Sequence, residues 1–198
     1  MTMKAAIGLR AHSGWAALVV LAGSADSPEV IARRRIEIAD PGIGGSKQPF
    51  HAAERLEFPE AEAYIERCHG STQRLARESL QAAISGLCDR RAQVIGCGII
   101  MGSGRALPAL EAILKSHALI HTAEGEFFRN ALLDASEWCG IPVLGVKEKE
   151  LYELGVAKIG VPASELERRI QQMGKTMGPP WTQDQKYAAL AAWMMLPA

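Results

Sequence analysis

Cysteines at metal-binding or redox spacing are missing from this chain. Cys68, Cys88, Cys97 and Cys139 stand far apart, and no C-x-x-C pair occurs. That leaves a zinc ribbon or a disulfide framework unsupported, and the expectation is buried free thiols in a reducing compartment. Neither sign of charge is in excess, with 22 Lys and Arg against 22 Asp and Glu. A duplex-DNA binder gains much of its affinity by releasing phosphate counterions and usually carries a basic surplus, so any nucleic-acid contact here must rest on a local patch. No apolar run reaches the roughly 18 residues of a membrane span. The first residues also lack the basic start, apolar centre and small-residue cleavage site of a secretion signal, so the expected location is cytoplasmic, with no membrane partner. Internal repeats and low-complexity segments are absent too.

What is present is ordinary globular material: 198 residues, 48% hydrophobic and 22% charged, long enough to bury a sizeable core and read as a single domain over 1–198. Three strand patterns come first. Lys4 to Arg10 alternates tightly, the turn at His12-Ser13-Gly14 leads into Trp15 to Ala22, and Glu29 to Ile38 follows with one partly polar face. Residues 39–58 form a long irregular stretch rich in Gly and Pro, a length that tends to be functional or mobile. Ala61, Tyr64, Cys68, Thr72, Leu75, Ala76, Leu80, Ala83 and Leu87 then recur at helical spacing, with Gly70 a weak point. Gln93 to Met101 reads as a central strand, closed by Gly102-Ser103-Gly104-Arg105. A short helix is expected over 107–115, a helix capped by Thr122, a fifth strand over 141–146 and another helix over 147–159. Two last helices carry capping-box patterns at Ser164/Glu167 and Thr182/Gln185.

Three stretches carry a family likeness. They are Ala6-Ile7-Gly8-Leu9 with Ser13-Gly14-Trp15-Ala16, then Ala123-Glu124-Gly125-Glu126 through Ala131 with Gly140-Ile141-Pro142-Val143, and finally Asp184-Gln185-Lys186-Tyr187-Ala188-Ala189-Leu190-Ala191. Together with the order of elements they resemble the ribonuclease H-like superfamily, and within it the RuvC-type Holliday-junction resolvases. The resemblance implies an α/β fold: a five-stranded mixed sheet with three leading antiparallel strands and helices on both faces. It also implies carboxylates on the first strand, the fourth strand and the last helix, holding magnesium for phosphodiester cleavage. Carried over by position, the first of these falls on Arg10 and the second near Ile100, Met101 or Gly102. In the last helix Asp184 keeps one acidic position, and Tyr187 or Ala188 stands at the other.

Other candidate residues each have a plainer reading beside the functional one. His117, His121 and Glu124 sit at i, i+4 and i+7 and would share a zinc-binding face on one continuous helix. With Thr122 as the cap, however, that helix starts after His121 and the three do not converge, so no metal site is expected. His12 and Ser13 could offer a phosphate the hydroxyl and amides of a turn, or simply close a hairpin. Ser103 and Arg105, following a central strand, could form an anion pocket with Arg10, or be a glycine turn. The turn matches neither the Walker A nor the dinucleotide fingerprint. Arg33-Arg34-Arg35, Arg90-Arg91 and Arg168-Arg169 read as solvated faces, and Trp181 as a packing anchor.

The expected function is therefore a RuvC-like domain without the acidic two-metal centre. It would act as a binding or scaffolding module that contacts nucleic acid or a phosphorylated ligand through Arg10, His12, Ser13, Ser103 and Arg105, with no cofactor and with a homodimer as the simplest assembly. The alternative is a metal-dependent phosphodiesterase with rearranged acids, for which Asp184, Glu124 and Glu126 are the available carboxylates and Mg2+ the cofactor. A nucleotide-binding actin-like module using the two glycine turns is the third reading.

Overall fold

Residues 2–198 are described by a computed structural model. Strands β1 (Met3–His12), β2 (Trp15–Gly23) and β3 (Pro28–Glu37) form an antiparallel meander. Strand β4 (Ala92–Met101) lies parallel beside β1, and β5 (Val143–Lys147) lies parallel beside β4, giving the order β3-β2-β1-β4-β5. This is the five-stranded mixed sheet expected from the order of the sequence patterns.

Alternation along β1 sends its side chains to two separate cores. Ala5, Ile7 and Leu9 join Leu18, Val20, Cys97 and Ile99 beneath helices α1 (Pro49–Ala53), α2 (Phe58–Cys88), α3 (Leu110–Leu114) and α4 (His117–Trp138). Ala6 joins Val19, Leu21, Ile100 and Val146 on the other face. That face is covered by α5 (Leu151–Ile159), α6 (Ala163–Met177) and α7 (Gln183–Trp193). A single 3-10 turn, Glu148–Glu150, joins β5 to α5. Among the described residues no helix is long and apolar enough to cross a membrane.

The seat of α7 is the feature that positions the functional end of the sheet. Gly8 and Gly98 face each other in the β1–β4 register. A Cβ on Gly8 would fall 1.7 Å from the Ala188 carbonyl oxygen, and one on Gly98 would fall 2.2 Å from that of Ala191. The paired glycines form a trough into which the small residues of α7 settle, bringing its backbone onto the sheet. Its first turn then lies over the C-terminal end of β1. The Thr182/Gln185 capping box opens this helix as expected, with the Thr182 amide donating to Gln185 at 2.8 Å.

Several local expectations change. The long irregular stretch contains α1, which packs Phe50 and Ala53 into the core. Gly70 sits inside an unbroken α2, where nothing lies near its Cα face. Ser164 is not a cap: α6 starts at Ala163 after Pro162, and Glu165 binds Arg168 and Arg169, each at 2.7 Å. Burial is outweighed by these guanidiniums, which pull the Glu165 carboxyl down to about 2. Thr122 is not a cap either, because α4 begins at His117 and the Thr122 hydroxyl donates back to the Ala118 carbonyl at 3.0 Å. Arg33 is structural, donating to the Gly178 and Pro179 carbonyls at 2.9 and 3.3 Å and to that of Pro180. Trp181 is the packing anchor expected: its indole donates to the Ile170 carbonyl at 2.9 Å.

Cysteine accessibility also differs from uniform burial. Cys68 and Cys97 are buried, Cys139 is half-buried and Cys88 is exposed. Burial pushes the Cys97 thiol up to about 12, which makes it a poor nucleophile. A disulfide reagent is expected to titrate Cys88 first and Cys139 more slowly in the native protein. Cys68 and Cys97 should react only in denaturant, and rapid labelling of all four would contradict the packing.

Candidate functional site

Parallel strands β1, β4 and β5 end side by side, and their C-terminal ends open on a cavity of about 440 Å3. Arg10 stands at the centre of this edge. One guanidinium nitrogen donates to Glu148 Oε2 at 3.0 Å, and another lies 3.1 Å from Asp184 Oδ1. Its cation also sits 4.7 Å from the centroid of the Tyr187 ring. The planar five-donor fork is suited to holding two carboxylates and an aromatic face at once. Glu148 is present because the chain turns immediately after β5, and Asp184 because α7 is seated in its trough.

His12, two residues on, faces the same carboxylate, with Nε2 2.8 Å from Asp184 Oδ1. Its ring stacks on Trp15 at 4.4 Å, and Arg35 covers the Trp15 ring at 4.0 Å. His12 is thus held from two sides. Across the cavity, Gly102 leaves room for Glu126 and Arg129 from α4, whose side chains pair at 3.0 Å; a Cβ there would meet Glu126 at 2.3 Å. Arg129 Nε is buried without an acceptor. Four basic side chains line the cavity, Arg10, Arg129, Lys147 and Lys149, against the single carboxylate of Glu148. Asp184 and Glu126 lie just behind it, each already in contact with an arginine.

The residues expected to bind a ligand therefore separate. Arg10, His12 and Ser103 line this cavity. Ser13 lies on the other side of the β1 end, lining two further cavities of about 700 and 190 Å3. Arg105 is exposed and outside all three; its amide reaches only toward the Ser103 hydroxyl at 3.4 Å. Glu148, Arg129, Lys147 and Lys149 were not singled out from sequence, although their places just after a strand or across from one are where ligands of open sheets bind.

Glu124, a second candidate carboxylate, is almost wholly buried in α4. Its Oε1 accepts from the Phe50 and His51 amides at 2.9 and 3.1 Å and contacts His51 Nδ1 at 3.1 Å. Burial raises its pKa, and the bonds from His51 and Phe50 offset that in part. Because α4 begins at His117, His117 and His121 do share a face, with Nε2 atoms 3.0 Å apart, and His51 stands over them. Among the described residues, His51, His117 and His121 are the one group of three whose ligand atoms share the reach of a cation.

Against solved structures, the chain resembles Thermus thermophilus RuvC in complex with a Holliday junction substrate. The match covers 98% of this chain and 92% of that one, at a TM-score of 0.52 and 11% identity. The fold is ribonuclease H-like. A further Thermus thermophilus RuvC structure covers 96% of this chain and 92% of its own, at a TM-score of 0.48 and 10% identity. No family model and no curated protein matches the sequence.

In this ribonuclease H-like sheet Arg10 sits at the end of the first strand, directly beside Ile100 on the fourth. Asp184 opens the last helix, as its place in the sequence implied. The three acids proposed for a rearranged centre do not pool. Asp184 faces Arg10 and His12, Glu126 faces Arg129, and Glu124 is turned into the protein toward α1.

Proposed function

We propose that this chain is a binding module on a RuvC-like fold, one that takes a phosphate-bearing ligand, nucleic acid foremost, at its strand ends and does not run two-metal cleavage there. The observation that carries this reading is Arg10 bridging Asp184 and Glu148 at about 3 Å. A guanidinium in that position neutralises two carboxylates and occupies the space between them, where hard divalent cations need several free oxygens. What then lines the cavity is mainly Arg10, Arg129, Lys147 and Lys149. Such a site matches phosphate oxygens, which accept charge-assisted hydrogen bonds from arginine forks.

The chain's balanced charge sets the expected strength. With about four phosphate contacts, binding should be modest, and log K should fall with log salt at a slope of about −3 to −4. Fluorescence anisotropy with linear and four-way DNA over a salt series measures this directly, with a cleavage assay in magnesium and manganese run alongside. Salt-dependent binding without cleavage is the expected result. Metal-dependent cleavage abolished by Asp184→Asn would instead establish the rearranged-hydrolase reading. Absence of binding to any nucleic acid would remove the nucleic-acid reading.

A further inference from the structure

We propose that His51, His117 and His121 form a binding site for one divalent transition-metal ion of the zinc class, with three imidazole ligands and a fourth position open to solvent. The site is separate from the Arg10 cavity and stands whether or not that cavity binds an anion.

Two of the ligands follow from helix geometry alone. Residues four apart on a helix lie one above the other, so the exposed rings of His117 and His121 on α4 project together, with Nε2 atoms 3.0 Å apart. The third is delivered from α1. His51 approaches both rings edge to face, with centroids 5.4 and 4.8 Å away, and the three ligand nitrogens lie within 4.8 Å of one another. Zinc–imidazole bonds of about 2.0–2.1 Å hold tetrahedral nitrogens roughly 3.4 Å apart. The close pair needs to open by a few tenths of an ångström and the third ring to close inward. His117 and His121 are exposed and His51 is half-buried, so most of the adjustment falls to the side chains of the α4 pair.

Glu124 is what turns a cluster of rings into a site. A carboxylate only 6% exposed is expensive to bury. Here Oε1 is fixed by two backbone amides of α1 and engages His51 Nδ1. With Nδ1–H donating to this oxygen, the lone pair of His51 lies on Nε2, which is left free for a cation. A carboxylate that orients a histidine through its second nitrogen is the usual support of a metal-bound imidazole. Three uncharged nitrogen donors favour zinc and its neighbours over magnesium or calcium, which take oxygen. Two of the three histidines, His51 and His121, line a cavity of about 190 Å3 together with Glu124, Ser13 and Gln48.

The test uses the full chain, stripped of metal with a chelator, and titrates it with zinc by calorimetry and with cobalt(II) by visible absorption. Saturation at one equivalent is expected, with zinc displacing cobalt and a rise in melting temperature of roughly 5–10 °C at a hundredfold excess over Kd. His121→Ala should abolish tight binding while the metal-free variant melts as the parent does. His51→Ala should abolish it too, with a lower metal-free melting temperature because buried Glu124 loses its imidazole contact. Glu124→Gln should weaken binding by about 10- to 100-fold with the stoichiometry kept, and His69→Ala, an exposed histidine elsewhere, should bind as the parent. Absence of saturable binding would overturn the site. So would unchanged affinity in His51→Ala, which would reduce it to an adventitious histidine pair on α4.

Discussion

Gly8→Val is expected to abolish cooperative folding, and Gly8→Ala to lower stability by about 3 kcal/mol or more. A Cβ at this position would stand 1.7 Å from the Ala188 carbonyl oxygen and 2.6 Å from its carbon. Those are backbone atoms, so no rotamer change relieves the clash; α7 itself must lift from β1. Overpacking a core costs typically about 1–3 kcal/mol even where side chains can yield, and total stability is only about 5–15 kcal/mol. For a chain of this size 3 kcal/mol corresponds to a fall in melting temperature of roughly 6–12 °C. Gly70→Ala supplies the contrast. Gly70 is exposed in the middle of α2 with nothing near its added methyl, so helix propensity alone acts and stability should rise by about 0.5–1 kcal/mol. Thermal and urea denaturation of the two variants, with helix content followed by circular dichroism, measures both effects. Equal, small effects would mean that α7 is not seated in the glycine trough.

That trough also marks the limit of what the sequence disclosed. Alternation in β1, the apolar spacing of α2 and the order of strands and helices were readable because each is a local pattern with a fixed period. The place of Arg10 at the end of the first strand was readable for the same reason. Its partner Glu148 was not, since 138 residues separate them and nothing local marks a glutamate after a strand as the mate of a distant arginine. Thr122 misled because a hydroxyl near a helix start can cap the amides ahead or return to the carbonyl four residues behind, and here it does the latter. That single choice hid the first turn of α4 and with it the shared face of His117 and His121. His51 was lost in the irregular stretch, where a five-residue helix gives no periodic signal. Glu124 was read as a zinc ligand or a catalytic carboxylate near a helix start. It lies two turns into α4, and its role is set by α1 across the core rather than by its own helix.

Arg10→Asp is the substitution with the largest expected functional effect, because it reverses the charge at the point where Asp184 and Glu148 meet. Two attractions near 3 Å become two repulsions. The pair with Asp184 is half-buried and the one with Glu148 half-exposed, so the loss in stability should be about 2–4 kcal/mol, most of it from Asp184. Binding of DNA should fall by roughly 10- to 100-fold at low salt, the worth of one charge-assisted contact, and the salt slope should flatten by about one. The variant should also gain something the parent lacks. Three carboxylates then stand together at the strand ends, so manganese or magnesium should restore part of the lost melting temperature in Arg10→Asp and leave the parent unmoved. Arg10→Gln separates loss of charge from gain of a cation site, since it should weaken DNA binding without acquiring metal dependence. If the parent is stabilised by these cations as strongly as Arg10→Asp, then Arg10 does not exclude them and the reading of this edge as an anion site fails. Unchanged DNA affinity in Arg10→Asp would place the nucleic-acid contact elsewhere on the chain.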